Sequence, residues 1–169
     1  MKFLIVSDSH GSTEILQELS TRYSNRVDAM IHCGDSELTA DNPIMADYLT
    51  VRGNCDIDAR FPDHLVKEMG GINVLVTHGH LFNVKMSLMN LSYKAKENAA
   101  QFVFFGHSHT LGAEMMDGTL FLNPGSILLP RGRREKTYAL VEVESSRVYV
   151  RFLNENHEEL VDLTATFSL

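Results

Sequence analysis

The sequence predicts an α/β fold in which two packed β-sheets are flanked by helices, and three observations lead to this prediction. Five short apolar runs between Phe3 and Phe105 each end at a polar cluster that contains Asp, Asn or His. Amphipathic helical patterns separate some of these runs. The last third of the chain shows strand patterns without intervening helices, which indicates antiparallel β-structure.

The five apolar runs are rich in β-branched or aromatic residues and are bounded by glycine, which is typical of buried strands. They lie at residues 3–6, 29–33, 48–51, 72–76 and 102–105. Helical periodicity predicts a helix over residues 12–24, with Ser12 as its N-cap, and a second helix over residues 85–99. A short helix interrupted by Pro43 is expected within residues 38–47.

Antiparallel strands are expected throughout the C-terminal part of the chain. The expected strands lie at residues 112–117, 119–123, 136–144, 147–154 and 159–163. Asp117-Gly118 has the composition of a two-residue hairpin turn between the first two of these strands. Because no linker, repeat or charge block interrupts the pattern, residues 1–169 are expected to form a single domain.

The composition excludes several classes of function. The chain has 15 Lys and Arg against 22 Asp and Glu, a net charge of −7, which disfavours binding to long nucleic acids. No run approaches the roughly 20 apolar residues that a transmembrane helix needs, so no membrane partner is expected. Cys33 and Cys55 are too few for a disulfide framework, and we expect free thiols in a cytoplasmic protein.

Polar side chains at the ends of the five apolar runs predict a metal centre. Because strand tips at one edge of a parallel sheet lie close together, we expect these side chains to converge. Burying them without neutralisation would be costly, and imidazole and carboxylate groups suit Zn, Mn, Fe or Ni. They are too many for one tetrahedral ion and suit two ions that share a carboxylate. The expected ligands are Asp8, His10, Asp35, Asn54, His78, His107 and His109.

Five motifs in this order resemble the calcineurin-like metallophosphoesterase superfamily. They are Asp8-x-His10, Gly34-Asp35, Gly53-Asn54, His78-Gly79 and Gly106-His107-Ser108-His109. Two further segments, Arg52-Gly53-Asn54-Cys55-Asp56 and Asn123-Pro124-Gly125-Ser126, are similar to its small prokaryotic branch, the YfcE-type phosphodiesterases. The resemblance implies a four-layer fold in which a two-sheet β-sandwich is flanked by helices.

The resemblance also implies a function and a distribution of the ligands. It implies a divalent-metal-dependent phosphodiesterase that acts on small phosphodiesters through a dinuclear site and a bridging hydroxide. Asp8, His10, Asp35 and His109 would hold the first ion. Asp35, Asn54, His78 and His107 would hold the second, so that Asp35 bridges the two ions. We expect manganese, with nickel, iron, cobalt or zinc as alternatives.

One position departs from the family's pattern. Many members carry a histidine after the Gly-Asn pair, where it is held to protonate the leaving group or to contact phosphate. This chain has Cys55 there, followed by Asp56, which can orient a neighbour or a water. The expected catalytic residues are Asp35, Asn54, Cys55 and Asp56. The expected substrate contacts are Asn54, Cys55, His80 and Arg131.

Three other functions remain open from the sequence. The enzyme could be a cyclic-nucleotide phosphodiesterase or a phosphomonoesterase instead. The fold is also used by a non-catalytic scaffold, the retromer subunit, but scaffolds of that kind lose a histidine ligand and this chain keeps them all. Edge strands in the C-terminal half could pair across a two-fold axis, so a homodimer or homotetramer is a further expectation.

Overall fold

Eleven strands, two α-helices and three short 3₁₀ helices form the computed structural model, which describes all 169 residues. In chain order the strands and α-helices are β1 (Lys2–Val6), α1 (Thr13–Tyr23), β2 (Ala29–His32), β3 (Leu49–Thr50), β4 (His64–Met69), β5 (Ile72–Thr77), α2 (Met89–Glu97), β6 (Phe102–Phe104), β7 (Gly112–Met116), β8 (Thr119–Asn123), β9 (Thr137–Glu144), β10 (Arg147–Asn154) and β11 (Ala165–Ser168). The 3₁₀ helices lie at Pro43–Asp47, His80–Phe82 and Val161–Leu163.

The strands form two mixed sheets. The first sheet has the order β11-β10-β9-β1-β2-β3, in which β1, β2 and β3 are parallel and the remaining strands are antiparallel. The second sheet has the order β4-β5-β6-β8-β7, in which β5, β6 and β8 are parallel. The parallel strands form one side of the first sheet and the centre of the second, where an antiparallel strand lies at each edge. The C-terminal strands β9, β10 and β11 are antiparallel, as the change of pattern along the sequence predicts.

The sheets pack against each other and each carries one helix on its outer face. Phe3 on β1 lies between the sheets, with its ring centroid 6.3 Å from that of Phe102 and 5.9 Å from that of Phe104. The alternate residue Leu4 faces outward and packs with Leu16 and Leu19 of α1. On the other side, residues of β5 and β6 pack against α2. This arrangement confirms the predicted sandwich flanked by helices.

The five apolar runs all form strands, but they do not belong to one parallel sheet as the convergence argument assumed. The first three runs form β1, β2 and β3 of the first sheet, and the other two form β5 and β6 of the second. The polar ends still meet, because the loops that follow these strands lie at the same edge of the sandwich. The site is therefore built across the junction of two sheets.

Several element boundaries differ from the sequence prediction. The strand expected over residues 159–163 is wrong: Glu159 makes a single bridge to Leu153, and a 3₁₀ helix follows. The edge of β10 that residues 159–163 would have paired with is occupied over Arg147–Val150 by the later strand β11. The edge strand β4 was not expected. Pro43 starts a 3₁₀ helix rather than interrupting one, since its missing N–H costs nothing at a first helical position.

The hairpin between β7 and β8 confirms the predicted turn. Asp117 and Gly118 both have positive φ, 49° and 78°, as a type I′ turn requires. The helix predicted over residues 85–99 is shorter and covers Met89–Glu97. Ser12 occupies the N-cap position of α1 as expected, but its side chain makes no capping hydrogen bond. Neither α-helix is long and apolar enough to cross a bilayer.

A buried histidine at the end of β2 ties two loops together. The N–H of Gly34 donates to Nδ1 of His32 at 3.1 Å, so Nε2 must carry the ring proton. Nε2 lies 2.9 Å from Oγ of Ser9 and donates to it. Burial lowers the pKa of His32 to about 4, which keeps the imidazole neutral. His32 thus joins the loop after β1 to the loop after β2.

We expect the His32→Gln variant to lose part of the pH dependence of folding stability. The unfolded chain protonates this histidine below its ordinary pKa of 6.5, whereas the folded protein resists protonation down to about 4. His32 should therefore lower the free energy of unfolding by about 3 kcal/mol as pH falls through this window. Denaturant unfolding at several pH values measures the slope, with the exposed His64→Gln as control. An equal slope in His32→Gln and wild type would contradict the assignment.

Candidate metal centre

The predicted ligands converge at the edge where the two sheets meet. Asp35 Oδ2 lies 3.2 Å from Nε2 of His78, which comes from the other sheet. Asp8 Oδ1 lies 3.1 Å from Nε2 of His109. The ring centroids are 5.3 Å apart for His10 and His109, and 5.1 Å apart for His78 and His107. Asn54 joins the cluster through Oδ1, which lies 3.2 Å from Nε2 of His78.

Strained backbone conformations concentrate at these ligands. Positive φ values of 41° to 68° occur at Asp8, His10, Asp35, His107 and His109. This conformation costs a non-glycine residue on the order of 1–2 kcal/mol, and such strain persists where the surroundings enforce it for function. Backbone hydrogen bonds hold the loops after β1 and β2 in this form, among them one from His10 N–H to the carbonyl of Asp35 at 3.1 Å.

Two glycines permit the close approach of these loops. A Cβ atom on Gly53 would lie 2.1 Å from Oδ1 of Asp35. A Cβ atom on Gly106 would lie 2.0 Å from Oγ of Ser7. Any side chain at either position would therefore push a ligand loop out of place, which explains why glycine precedes Asn54 and His107.

Three groups of donor atoms are close enough to hold a cation. In each group the donor atoms lie within 4.8 Å of one another. The groups are Asp8 with His10 and His109, Asp8 with Asp35 and His78, and His10 with Asp35 and Cys55. Asp35 is thus in reach of both His10 and His78, the two histidines that the sequence assigned to different ions. The imidazole and carboxylate chemistry of all three groups suits first-row divalent metals.

Individual atoms in the cluster also fit a cation. Nε2 of His10 is buried without a hydrogen-bond partner, and Oδ1 of Asp8 has only ion-pair contacts, with His109 at 3.1 Å and His78 at 4.0 Å. The second ring nitrogens of His78 and His109 are engaged, which fixes the orientations of these two rings. Nδ1 of His78 donates to the carbonyl of Cys33 at 2.8 Å, and Nδ1 of His109 donates to that of Leu129 at 2.7 Å. Ligand histidines in metal sites are oriented in this way.

Glu37 is a partner of the site that the sequence did not single out. Its Oε1 lies 2.5 Å from Nδ1 of His10, so the carboxylate orients this ring and leaves Nε2 directed away from it. No motif marks Glu37, because it acts through its position in the tight loop after Asp35. Its own backbone has a positive φ of 55°.

The carboxylates and histidines shift one another's protonation. Burial alone would raise the pKa of Asp35, but the hydrogen bond and positive charge of His78 outweigh burial and lower it. Burial would lower the pKa of His78, but its hydrogen bond to Asp35 and the charge of Asp8 raise it. The pKa of His109 is raised by its hydrogen bond to Asp8. The carboxylates therefore favour positive charge at these histidines, in the same place where a divalent cation would supply it.

His107 differs from the other histidines of the site. Burial and then the positive charges of His78 and Lys85 lower its pKa to about 4. It is therefore neutral at pH 7, which is the form that binds metals.

Asp56 directs its carboxylate into the loops rather than toward the cluster. Oδ2 accepts the backbone N–H groups of Asp35 at 2.8 Å and Gly53 at 2.6 Å. Oδ1 accepts Oγ–H of Ser36 at 3.0 Å and the N–H of Glu37 at 2.7 Å. A carboxylate has about four acceptor positions, and all of them are occupied here. Asp56 is thus placed to hold the loop of Asp35 against the loop of Asn54.

Besides Asn54, the three other residues expected to contact substrate occupy different places. Cys55 is exposed at the rim, and its N–H donates to Oδ1 of Asp35 at 2.7 Å. Partial desolvation by the neighbouring loops, followed by the negative charge of Asp35, raises the pKa of the Cys55 thiol to about 11. The ring centroid of His80 lies 5.5 Å from that of His78, and its Nδ1 is buried without a partner. Arg131 lines a cavity on the other side of the turn that carries His107 and His109.

Asn123 holds the turn that carries His107 and His109. Its Nδ2 donates to the carbonyl of Gly106 at 2.9 Å and to Oγ of Ser108 at 3.0 Å. Ser126, from the same Asn-Pro-Gly-Ser segment, donates to the carbonyl of Asp8 at 2.8 Å. The segment after β8 therefore supports ligand loops of both sheets.

Comparison with known proteins shows relatives along the whole chain. The chain is 47% identical to the probable metallophosphoesterase YsnB of Bacillus subtilis over 163 residues, which cover 96% of each protein. It is 26% identical to the phosphodiesterase YfcE of Escherichia coli over 84% of the chain and 88% of YfcE. A solved structure from Streptococcus pneumoniae, described as a predicted phosphoesterase, is 42% identical and superposes with a TM-score of 0.96 over 99% of this chain and 97% of that one.

A family model gives the same result independently of any single relative. The model of the calcineurin-like phosphoesterase superfamily domain matches residues 1–146, which include every predicted ligand. The family is one of metal-dependent phosphoesterases, so the expectation that the protein is such an enzyme is confirmed at that level. The chain belongs to the calcineurin-like phosphoesterase superfamily.

Proposed function

We propose that the protein is a phosphodiesterase that hydrolyses small phosphodiesters with the help of two divalent ions. The position of Asp35 carries this proposal, because its carboxylate lies within reach of His10 on one side and His78 on the other. A single carboxylate between two sets of imidazoles is what a pair of ions sharing one ligand requires. The similarity to YfcE supports a diester as the substrate class.

The donor set divides into two groups around Asp35. Asp8, His10, Asp35 and His109 would hold the first ion, and Asp35, Asn54, His78 and His107 would hold the second. When bound, the two ions would activate a water as the attacking hydroxide and neutralise the phosphoryl oxygens. The mixture of carboxylate, amide and imidazole donors suits manganese, with nickel, iron, cobalt and zinc as alternatives.

The remaining side chains orient the substrate. Cys55 keeps its proton at pH 7 and can donate a hydrogen bond to a phosphate oxygen at the rim. Asn54 can offer Nδ2 to the same phosphate while Oδ1 faces the ligands. His80 brings an unpartnered nitrogen beside His78 and His107. Because Asp56 accepts four hydrogen bonds, its role is to position Asp35 and Asn54 rather than to protonate the leaving group.

The absence of a histidine at position 55 restricts the substrates. A raised thiol pKa makes Cys55 a poor proton donor, so we propose that leaving groups that depart without a proton, such as phenolates, react best. The two free cysteines fit a cytoplasmic location. A homodimer or homotetramer formed through the edge strands remains part of the proposal.

Replacing a shared or buried ligand should abolish hydrolysis of bis(p-nitrophenyl) phosphate. We expect Asp35→Asn and His78→Ala to lower kcat/KM by at least about 100-fold, since each substitution removes a proposed metal ligand. The exposed His64→Ala on β4 is the matched control and should retain wild-type turnover. Hydrolysis at wild-type rates after removal of divalent metals by a chelator would refute the proposal.

A substrate panel decides between the proposed activity and its alternatives. With the manganese-loaded enzyme, kcat/KM is compared for bis(p-nitrophenyl) phosphate, p-nitrophenyl phosphate and 2′,3′-cyclic AMP. The proposal requires the first to be the best substrate. A preference for the second or third would establish a phosphomonoesterase or a cyclic-nucleotide phosphodiesterase, and a scaffold would hydrolyse none of them.

The Asp56→Asn substitution should weaken metal binding although Asp56 is not one of the proposed metal ligands. One amide oxygen replaces two carboxylate oxygens, and the amide NH₂ then faces backbone donors, so the loops of Asp35 and Asn54 lose their common anchor. We expect manganese affinity, measured by calorimetry, to fall about 10- to 100-fold.

The control is Asp58→Asn, because Asp58 holds the neighbouring loop through the N–H of Ala40 at 2.8 Å and does not touch Asp35. It should bind manganese like the wild type. Equal affinities for all three proteins would show that Asp56 has no positioning role.

A further inference from the structure

A cavity of about 520 Å³ lies beside the candidate metal centre, behind the turn that carries His107 and His109. Its apolar wall is formed by Val84, Leu88, Phe105 and Phe121. The volume falls within the range of small-molecule sites, which are typically concave, largely apolar and equipped with a few polar groups. We refer to it as the flanking cavity.

Residues that belong to, or pack against, two of the histidine loops of the metal centre line this cavity. Ser108, which lines the flanking cavity, stands between His107 and His109 in the chain and accepts a hydrogen bond from Asn123. Val84 packs against the loop of His78 and His80, since a Cβ atom on Gly79 would lie 2.8 Å from Val84 Cγ2. An occupant of the flanking cavity would therefore touch residues that position the ligands of the metal centre.

The charges at the cavity favour an anion. Lys85 and Arg131 line it, and neither forms an ion pair. Glu114 is the single acidic residue of the lining. The lining thus carries a net charge of +1 from two cations and one carboxylate, in a chain whose net charge is −7. Unpaired cations beside an aromatic wall are suited to a flat apolar group with an anionic substituent.

We propose that the flanking cavity is a ligand site for an aromatic anion, coupled to the metal centre through Ser108 and Val84. Two sources share this chemistry. The ligand is either the part of the substrate that extends beyond the scissile phosphate or a separate effector molecule. The first source rests on the proposed phosphodiesterase function, and the second does not.

Fluorescence titration with 8-anilino-1-naphthalenesulfonate, an aromatic sulfonate, tests binding to the manganese-loaded protein without any turnover. The Lys85→Ala/Arg131→Ala double variant should bind the probe about tenfold more weakly, because it loses two solvent-exposed charge contacts. Glu114→Gln should bind it more tightly, since a repulsive carboxylate is removed. Lys67→Ala, an exposed unpaired lysine on β4, should match the wild type. If the double variant and Glu114→Gln bound the probe with the same affinity as the wild type, the proposal would be overturned.

Inhibition kinetics with the same probe distinguish the two sources. A rise in KM for bis(p-nitrophenyl) phosphate at constant kcat identifies the cavity as part of the substrate site, and a change in kcat identifies an effector site. Unchanged kinetics at a saturating probe concentration would contradict the coupling to the metal centre. If the protein hydrolyses no phosphoester but probe binding follows the variants, the proposed function fails while the ligand site stands.

Discussion

The structure depends on the neutralisation of two buried carboxylates. Asp8 and Asp35 are 0% and 2% exposed and lie where two sheets meet. Removing an ionised carboxylate from water costs several kcal/mol even in a relaxed protein, so the fold must bring positive charge to them. The imidazoles of His78 and His109 lie 3.2 and 3.1 Å from these carboxylates, and divalent cations would supply positive charge more strongly. The chemistry proposed for the protein follows from this requirement.

The remaining interactions at the site hold the loops that carry these charges. His32 joins the loop after β1 to the loop after β2, and Asp56 joins the latter to the loop after β3. Asn123, at the end of the neighbouring strand β8, supports the turn after β6. These contacts stabilise ligand residues with left-handed backbone conformations, which no local preference would produce. The strain of the ligand loops is thus offset by hydrogen bonds from buried polar residues that are not themselves proposed metal ligands.

The sequence predicted most strands and the convergence of the candidate ligands, because both leave strong local signals. Apolar runs that end in glycine and a polar residue indicate strand tips, and β1, β2, β3, β5 and β6 follow them. The assignment of these strands to two sheets depends on long-range pairing, which no local pattern records. For the same reason β4 was missed and residues 159–163 were misassigned. The roles of Glu37 and the flanking cavity depend on side chains meeting across loops, so they became visible only in three dimensions.

The number of metal ions bound per chain tests the central claim most directly. The protein is loaded with manganese, freed of excess metal by gel filtration and analysed by elemental mass spectrometry against protein concentration. The account predicts two ions per chain in the wild type and one in His10→Ala, which removes a donor of the first ion alone. One ion or none in the fully loaded wild type, or two in His10→Ala, would contradict the arrangement of ligands around Asp35.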